Sequence, residues 1–561
     1  MLHNRSTHSL KFSAALVLLT ALSFCQAPEP QSLPRFTSGT NYVEVPVIVQ
    51  RSGKHVAGLS KDAFTLKQDG KAVPIATFQE VHHDAATTTA SAAPGSAVPE
   101  QVVPPQITII ALDMVNTPNL DRAYFTQEFE RWLSKSAKLP QPIGLVAIER
   151  GGVHILREFT TEPGQLLSAM HQLDGDQPTN HNNANHEVRE LSDQLISNQQ
   201  SQLANAADVG PTLAQTLMLR SADESMVRFQ DRSSRIDTQL VIQQLAQALK
   251  GIPGRKSLLL VGSGFKFIDS TTVLKTITDG SQGLQYSVEN GPETLNQAAY
   301  TWKVLNDANV AVYPIDTRRT VNTAFQTMDV THVNTPSALS FEQNQQTDRD
   351  ILTSFKMIAA ATGGKPCFYR TDLDNCVREA VEDDRDYYLL GFYLSKKDDK
   401  PGWHKIDVAL NQKASLRYRE GFLIAKFNAE AQRKNDISLA LKSPFAYTAL
   451  PFTGHFLPGQ GSGSRFELQI PPQSVTLEPQ DGHMDFDVIA VARAAGGREA
   501  GHMNQHIERK LPAEAVNEIK TTGIDYKNKI DLPAGEYAVW FVIRDNLTGR
   551  TGSAVVPLKV E

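Results

Sequence analysis

The feature that most narrows the fold is a rhythm beginning at Gln106, where strand-length apolar runs alternate with stretches of helical period. The runs are Ile107–Leu112, Ile143–Ile148, Ser257–Val261, Val310–Ile315 and Tyr387–Tyr393. Helical spacing marks Leu120–Ser136, Gly164–Leu173, Thr238–Lys250, Glu293–Ala308 and Asp348–Ala361; in the second of these, Leu166, Leu167, Met170 and Leu173 share one face. Runs too apolar to leave a face in water, joined by helices, call for a doubly wound, mostly parallel sheet covered on both sides.

At 561 residues the chain exceeds what one core holds, so this α/β segment, 106–424, is expected to be one domain among several. A polar insertion over 174–235, with the run Asn180-His181-Asn182-Asn183-Ala184-Asn185-His186, interrupts its alternation. Before it, Tyr42–Val49, Phe64–Leu66 and Val73–Phe78 around Asp69-Gly70 spell a small β module over 40–84 with a two-residue hairpin turn. The Ala-, Thr-, Ser- and Pro-rich 85–105 lacks bulky apolar residues and forms a linker. Trp403–Leu410 and Leu416–Arg419 are expected as edge strands finishing the α/β domain. Beyond Ala425 helical periodicity fades. Phe466–Ile470, Met484–Arg493, Glu536–Ile543 and Ser553–Lys559, set between Pro and Gly clusters, predict an immunoglobulin-like β-sandwich over 425–561.

Lys and Arg number 55 against 61 Asp and Glu, a net charge of −6 without long single-sign blocks. A nucleic-acid partner, which needs a basic face, is therefore excluded at this level. Arg5 and Lys11 precede an apolar run, Phe12–Phe24, of signal-peptide length and short of the roughly 20 residues that cross a bilayer. Residues 1–27 are thus expected to direct export. Leu22-Ser23-Phe24-Cys25 resembles a lipoprotein box with the bulky Phe24 where a small residue is usual, so simple cleavage and lipidation at Cys25 both stay open. No later segment is long and apolar enough to span a membrane. Cys367 and Cys376 remain, and in an oxidising compartment the expectation is a disulfide.

In an open α/β sheet, ligands bind outside the carboxyl ends of the strands, which directs attention to Asp113-Met114-Val115-Asn116-Thr117. With Gly251-Ile252-Pro253-Gly254-Arg255-Lys256 before a strand, Thr362-Gly363-Gly364 before Phe368, and Asp386-Tyr387-Tyr388-Leu389-Leu390-Gly391-Phe392-Tyr393, the chain from Val43 to Leu423 resembles the von Willebrand factor A-related family of acidobacterial-type exported proteins. The resemblance implies a divalent cation at the sheet edge, held by Asp-x-Ser-x-Ser, a Thr and an Asp, with one octahedral position for a partner's carboxylate. Asp113 matches the first ligand, Thr117 replaces the second Ser, and Thr238, opening its helix, takes the Thr role. Val115 offers no oxygen where the family has Ser, and Ser263 stands where the family has Asp. The implied site is degenerate, with no cofactor or weakly bound Mg²⁺, and its residues otherwise serve as caps and turns.

Other signals carry less. Gly251–Ser257 lacks P-loop spacing, and Gly262-Ser263-Gly264 is no nucleophile elbow. His82-His83-Asp84, His171, His181 and His186 lie in polar settings at irregular spacing, and Asp383-Asp384-Arg385-Asp386 is expected to be a solvated helix end. The reading that follows is an exported, periplasmic or secreted, non-catalytic module binding a protein or a cell-surface polymer. A polymer-degrading hydrolase with its site under the 174–235 insertion and a structural envelope protein are the alternatives.

Overall fold

The computed structural model describes residues 42–82, 106–117, 119–149, 152–175, 232–263, 265–267, 270–276, 284–290, 292–318, 338–368, 372–394, 400–424, 429–457, 464–478 and 481–561. The expected signal segment with Cys25, the expected linker over 85–105, His83, Asp84, His181, His186 and most of the expected polar insertion lie outside these residues.

The chain runs through β1 (Tyr42–Arg51), β2 (Phe64–Gln68) and β3 (Thr77–His82) into β4 (Ile107–Asp113), α1 (Asn119–Ser134), β5 (Ile143–Glu149), β6 (Gly152–Thr160) and α2 (Pro163–Gly175). A helix over 232–249, α3, leads to β7 (Lys256–Gly262), α4 (Pro292–Asp307), β8 (Val310–Asp316), α5 (Ala338–Thr362) and α6 (Leu373–Arg385). Next come β9 (Asp386–Tyr393), β10 (Gly402–Leu410), β11 (Ser415–Arg417) and β12 (Gly421–Ile424). The last region holds α7 (Ala429–Lys442), β13 (Thr453–Phe456), β14 (Ser464–Ile470), β15 (His483–Ala494), β16 (Glu499–Lys510), α8 (Ala513–Thr522), β17 (Ile524–Ile530), β18 (Gly535–Asp545) and β19 (Thr551–Val560).

The molecule is mixed α/β with several antiparallel sheets. Its central sheet has the order β8-β7-β4-β5-β6; the first four strands are parallel and β6, which the apolar runs did not reveal, is an antiparallel edge. Ile107, Ile109 and Ala111 of β4 pack toward Ile242, Leu245, Leu305 and Phe355 of α3, α4 and α5. The alternate residues Ile110 and Leu112 pack toward Phe129, Met170 and Val377 of α1, α2 and α6. Both faces of the strand are buried, which is why its sequence shows no polar alternation.

The β module departs from the expected boundaries. Tyr387–Tyr393 was expected beside the parallel strands, but β9 instead pairs antiparallel with β1 on one side and β3 on the other. β2 pairs with β10, and β10 with β12. Residues 42–82 and 386–424 are therefore one β body sharing a core of Val45, Val47, Leu66, Tyr388, Phe392 and Ile406, and the parallel sheet is inserted between its halves. Periodicity reports that a strand is buried and says nothing of its partner, so β9 was placed with the wrong sheet. The Asp69-Gly70 turn stands as expected, with φ of 49° and 79°, but its returning arm is Lys71-Ala72, and the expected arm Val73–Phe78 leaves β2, Thr77 and Phe78 pairing with Gly391 and Leu390 of β9.

The C-terminal region is a sandwich of two antiparallel sheets, β13-β14-β17 and β16-β15-β18-β19, around Phe466, Leu468, Phe486, Val488 and Phe541. Two helices, α7 and α8, interrupt it where fading helical period predicted none. α7 covers the outer face of β15 and β18: Ala440, Ile489, Val491 and Val542 cluster with Tyr447 and with Ala248 of α3. The Thr448 hydroxyl donates to the Ala248 carbonyl at 2.8 Å, and Arg544 and Asp436 form a buried ion pair at 2.9 Å that fixes α7 to the sandwich.

Among the described residues no helix is long and apolar enough to cross a membrane. Cys367 and Cys376 form a disulfide with Cα atoms 6.3 Å apart.

Candidate functional site

Between β4 and β7 the chain order reverses: β5 follows β4 on one side, while β7 and β8 add on the other. At such a reversal the loops leave in opposite directions and open a crevice beyond the carboxyl ends. Asp113 ends β4 inside it, 1% exposed.

The 113–117 loop folds around the Asp113 carboxylate. The backbone N–H groups of Val115 and Asn116 donate to Oδ1, each at 3.1 Å, and the Asn116 side-chain amide donates to Oδ2 at 2.7 Å. The same Asn116 Nδ2 donates to Thr238 Oγ1 at 3.0 Å, so one amide spans the carboxylate and the α3 hydroxyl. Thr117 Oγ1 accepts the Ser263 N–H at 3.3 Å. A side chain at Gly262 would bring its Cβ to 2.9 Å from Thr117 Oγ1 and 3.0 Å from Asp113 Cβ, so the close approach of β7 to this loop requires glycine. Burial pushes the Asp113 carboxyl up to about 6, against the pull of the Asn116 and Val115 donors and the Arg122 charge.

Asp113, Thr117, Thr238 and Ser263 thus converge on one edge. Thr238 lies inside α3, six residues after the first described one, and does not open the helix as expected. Their arrangement does not fit a divalent cation. Mg²⁺ demands a shell of oxygens, whereas the space between Asp113 Oδ2 and Thr238 Oγ1 is bridged by an N–H donor that would repel it. Val115 is 5% exposed and turns into the core beneath the sheet. Among the described residues no group of three or more His, Cys, Asp or Glu is placed to hold a metal ion.

Beside this edge lies a small cavity walled by Leu112, Phe125, Met170 and Val261 and bordered by Arg122 and Thr317. Arg122 donates through Nε to the Thr117 carbonyl at 2.8 Å and through Nη2 to the Met114 carbonyl, tying the start of α1 to the loop. Asn116, Arg122 and Thr317 were missed as site residues. Arg122 had one sequence signal, since a cation near a helix N-terminus opposes the helix dipole and implies another purpose.

The remaining candidates scatter. His82 pairs with Asp386 across β3 and β9, and His171 pairs with Glu130 at 2.6 Å on the surface. The acidic run expected in solvent is buried: Asp383 is 1% and Asp384 0% exposed at the end of α6. Arg255 pairs with Asp384 and donates to Tyr313 at 2.8 Å, Tyr313 donates to Asp383 at 2.7 Å, and Arg417 holds Asp383 with both Nη atoms. Burial pushes Asp384 up to about 7 against the pull of Arg255. This network joins the inserted domain to the β body at the amino end of the sheet, opposite the crevice.

No family model matches this chain, and no curated protein matches it. Among solved structures, a beta-glucuronidase from glycoside hydrolase family 2 aligns at 7% identity over 20% of this chain and 11% of that chain, with a TM-score of 0.13. A likeness of that size carries no argument about fold or function.

Proposed function

We propose that this chain is an exported, non-catalytic binding protein. In this reading the inserted parallel sheet is a von Willebrand factor A-like domain whose metal-dependent edge has degenerated into a metal-independent one, and the C-terminal sandwich is immunoglobulin-like. The observation that carries it is the Asn116 amide between Asp113 and Thr238, which puts a hydrogen-bonded brace where a cation-dependent relative would need open coordination. The reversal point of an α/β sheet then remains a recognition edge without metal chemistry. The disulfide fits an oxidising compartment. The partner is a protein or a surface polymer.

The test uses the full mature chain immobilised against envelope extract, with and without a chelator, alongside screening on peptide, ester and glycoside substrates. Retention of a discrete partner, unchanged by chelation and lost in Thr317→Trp, which blocks the crevice, is expected. Turnover abolished by a single substitution would replace this reading with an enzyme. Partner retention that needs Mg²⁺ and is lost in Asp113→Ala would replace it with cation-dependent adhesion.

A further inference from the structure

The buried ring of His404, near the start of β10, has an acceptor on each nitrogen. It is 8% exposed, with Nδ1 at 2.8 Å from Asp69 Oδ2 and Nε2 at 2.7 Å from the Lys400 carbonyl. A carboxylate and a carbonyl only accept, and a neutral imidazole carries a single N–H. In either neutral tautomer one nitrogen lone pair would face an oxygen at hydrogen-bond distance. The arrangement therefore fits the doubly protonated ring, which donates from both sides.

The groups around the ring agree with that charge. Phe422 of β12 stacks on it at 5.3 Å between centroids, and the neutral Gln68 of β2 lies 3.5 Å from Nδ1. Asp69 also takes the Lys405 N–H through Oδ1 at 2.9 Å, and against its loss of water these donors hold its carboxyl below the usual carboxylate range. Lys405 spends its own charge on Asp407, 2.6 Å away, and Lys400 is exposed.

The ring closes a seam that the sheet leaves open. The ladder between β10 and β2 ends at Ile406 and Gln68, and Gly402–Lys405 pair with β12 alone among the described strands. Asp69 spans the gap, its N–H donating to the Lys405 carbonyl at 2.9 Å and its carboxylate holding the Lys405 N–H and the ring. The neighbouring Trp403 meets Trp302 of α4 edge-on at 5.6 Å, a contact between the β body and the inserted domain.

We propose that His404 is an acid-closed clasp: as an imidazolium it ties the Asp69-Gly70 turn and the Lys400 backbone to the start of β10, and its deprotonation loosens the strand that seats Trp403 on the inserted domain. Folding binds the proton, so the clasp is complete at acid pH and is lost as the pH rises past the point where the folded ring deprotonates. The inference is independent of what the chain binds.

Two-bond proton–nitrogen correlation spectra of the histidine-labelled full chain, from pH 5 to 9, read the ring directly. Asp69→Asn keeps a residue that tolerates the turn's positive φ and an acceptor for the Lys405 N–H, and the signal it moves is that of His404. His404 should keep both protons down to a proton concentration at least tenfold below that at which the exposed His502 loses one, and Asp69→Asn should bring the two together. Hydrogen exchange of the 402–410 peptide, corrected for the intrinsic pH dependence of exchange, should be at least tenfold slower on the acid side of the His404 titration. That difference should vanish in Asp69→Asn, and His404→Gln, with one donor fewer, should exchange at the alkaline rate throughout. A ring that turns neutral together with His502, a titration unmoved by Asp69→Asn, or exchange at 402–410 indifferent to the titration would overturn the proposal.

Discussion

Asp113 shows how a single side chain can be costly in a place the fold needs. Its folded-state carboxyl is raised to about 6 from the ordinary 3.8, since loss of water outweighs the three N–H donors around it. The folded form therefore holds the proton more tightly than the unfolded chain. Its contribution to stability is full below about 3.8 and is lost as the pH rises through 6. The difference of about two units corresponds to about 3 kcal/mol at most. Urea unfolding at a series of pH values should show stability falling between pH 4 and 6.5 in the wild type, and Asp113→Asn should flatten that slope. Parallel slopes in the two proteins would show that the Asp113 carboxyl titrates normally.

At the scale of elements, α6 is pinned at both ends. Near its start, the disulfide from Cys376 reaches Cys367, whose backbone exchanges hydrogen bonds with Pro314 and Asp316 of β8 at 2.8 and 3.0 Å. At its end, Asp383 and Asp384 would oppose the helix dipole if left in solvent, and the buried charges of Arg255 and Arg417 offset both that and their loss of water. The disulfide closes a short loop, nine residues in separation, so chain entropy assigns it about 2.5 kcal/mol. The Cys367→Ser/Cys376→Ser double variant should lose about that much in denaturant unfolding, and non-reducing mass mapping of the wild type should show one linked peptide. Unchanged stability in the double variant would mean that the Arg255 and Arg417 network holds α6 by itself.

At the scale of the whole molecule, the inserted topology sets which fragments can stand alone. β9 lies between β1 and β3, and Tyr388, Leu390 and Phe392 fill the core those strands enclose. A fragment covering 106–424, the domain expected from the alternation, lacks 42–82 and so leaves β9 with both edges open and its core side chains in water. Such strands template aggregation. The fragment should sediment as aggregate or lose its near-ultraviolet circular dichroism, whereas 42–424 should unfold in one transition. A monomeric, cooperatively folding 106–424 would show that the β body is dispensable to the sheet.

What the sequence determined by itself was everything governed by a few neighbouring residues. The four parallel strands stand where their apolar runs lie, the helices between them where the period is 3.6, the hairpin where Asp69-Gly70 permits positive φ, and the cysteines are paired. What only the tertiary structure decided was partnership. Tyr387–Tyr393 reads as a buried strand in either sheet. Asp384 reads as solvated until Arg255, 129 residues away, is brought beside it. Asp113 reads as the first position of a degenerate metal edge, and only the fold brings the Asn116 amide between it and Thr238, 122 residues along the chain. Local pattern encodes how much water a segment sheds, because burial and backbone geometry act within a turn or a pleat. Which group replaces that water is set by contacts distant in sequence, and on that replacement the character of the site depends.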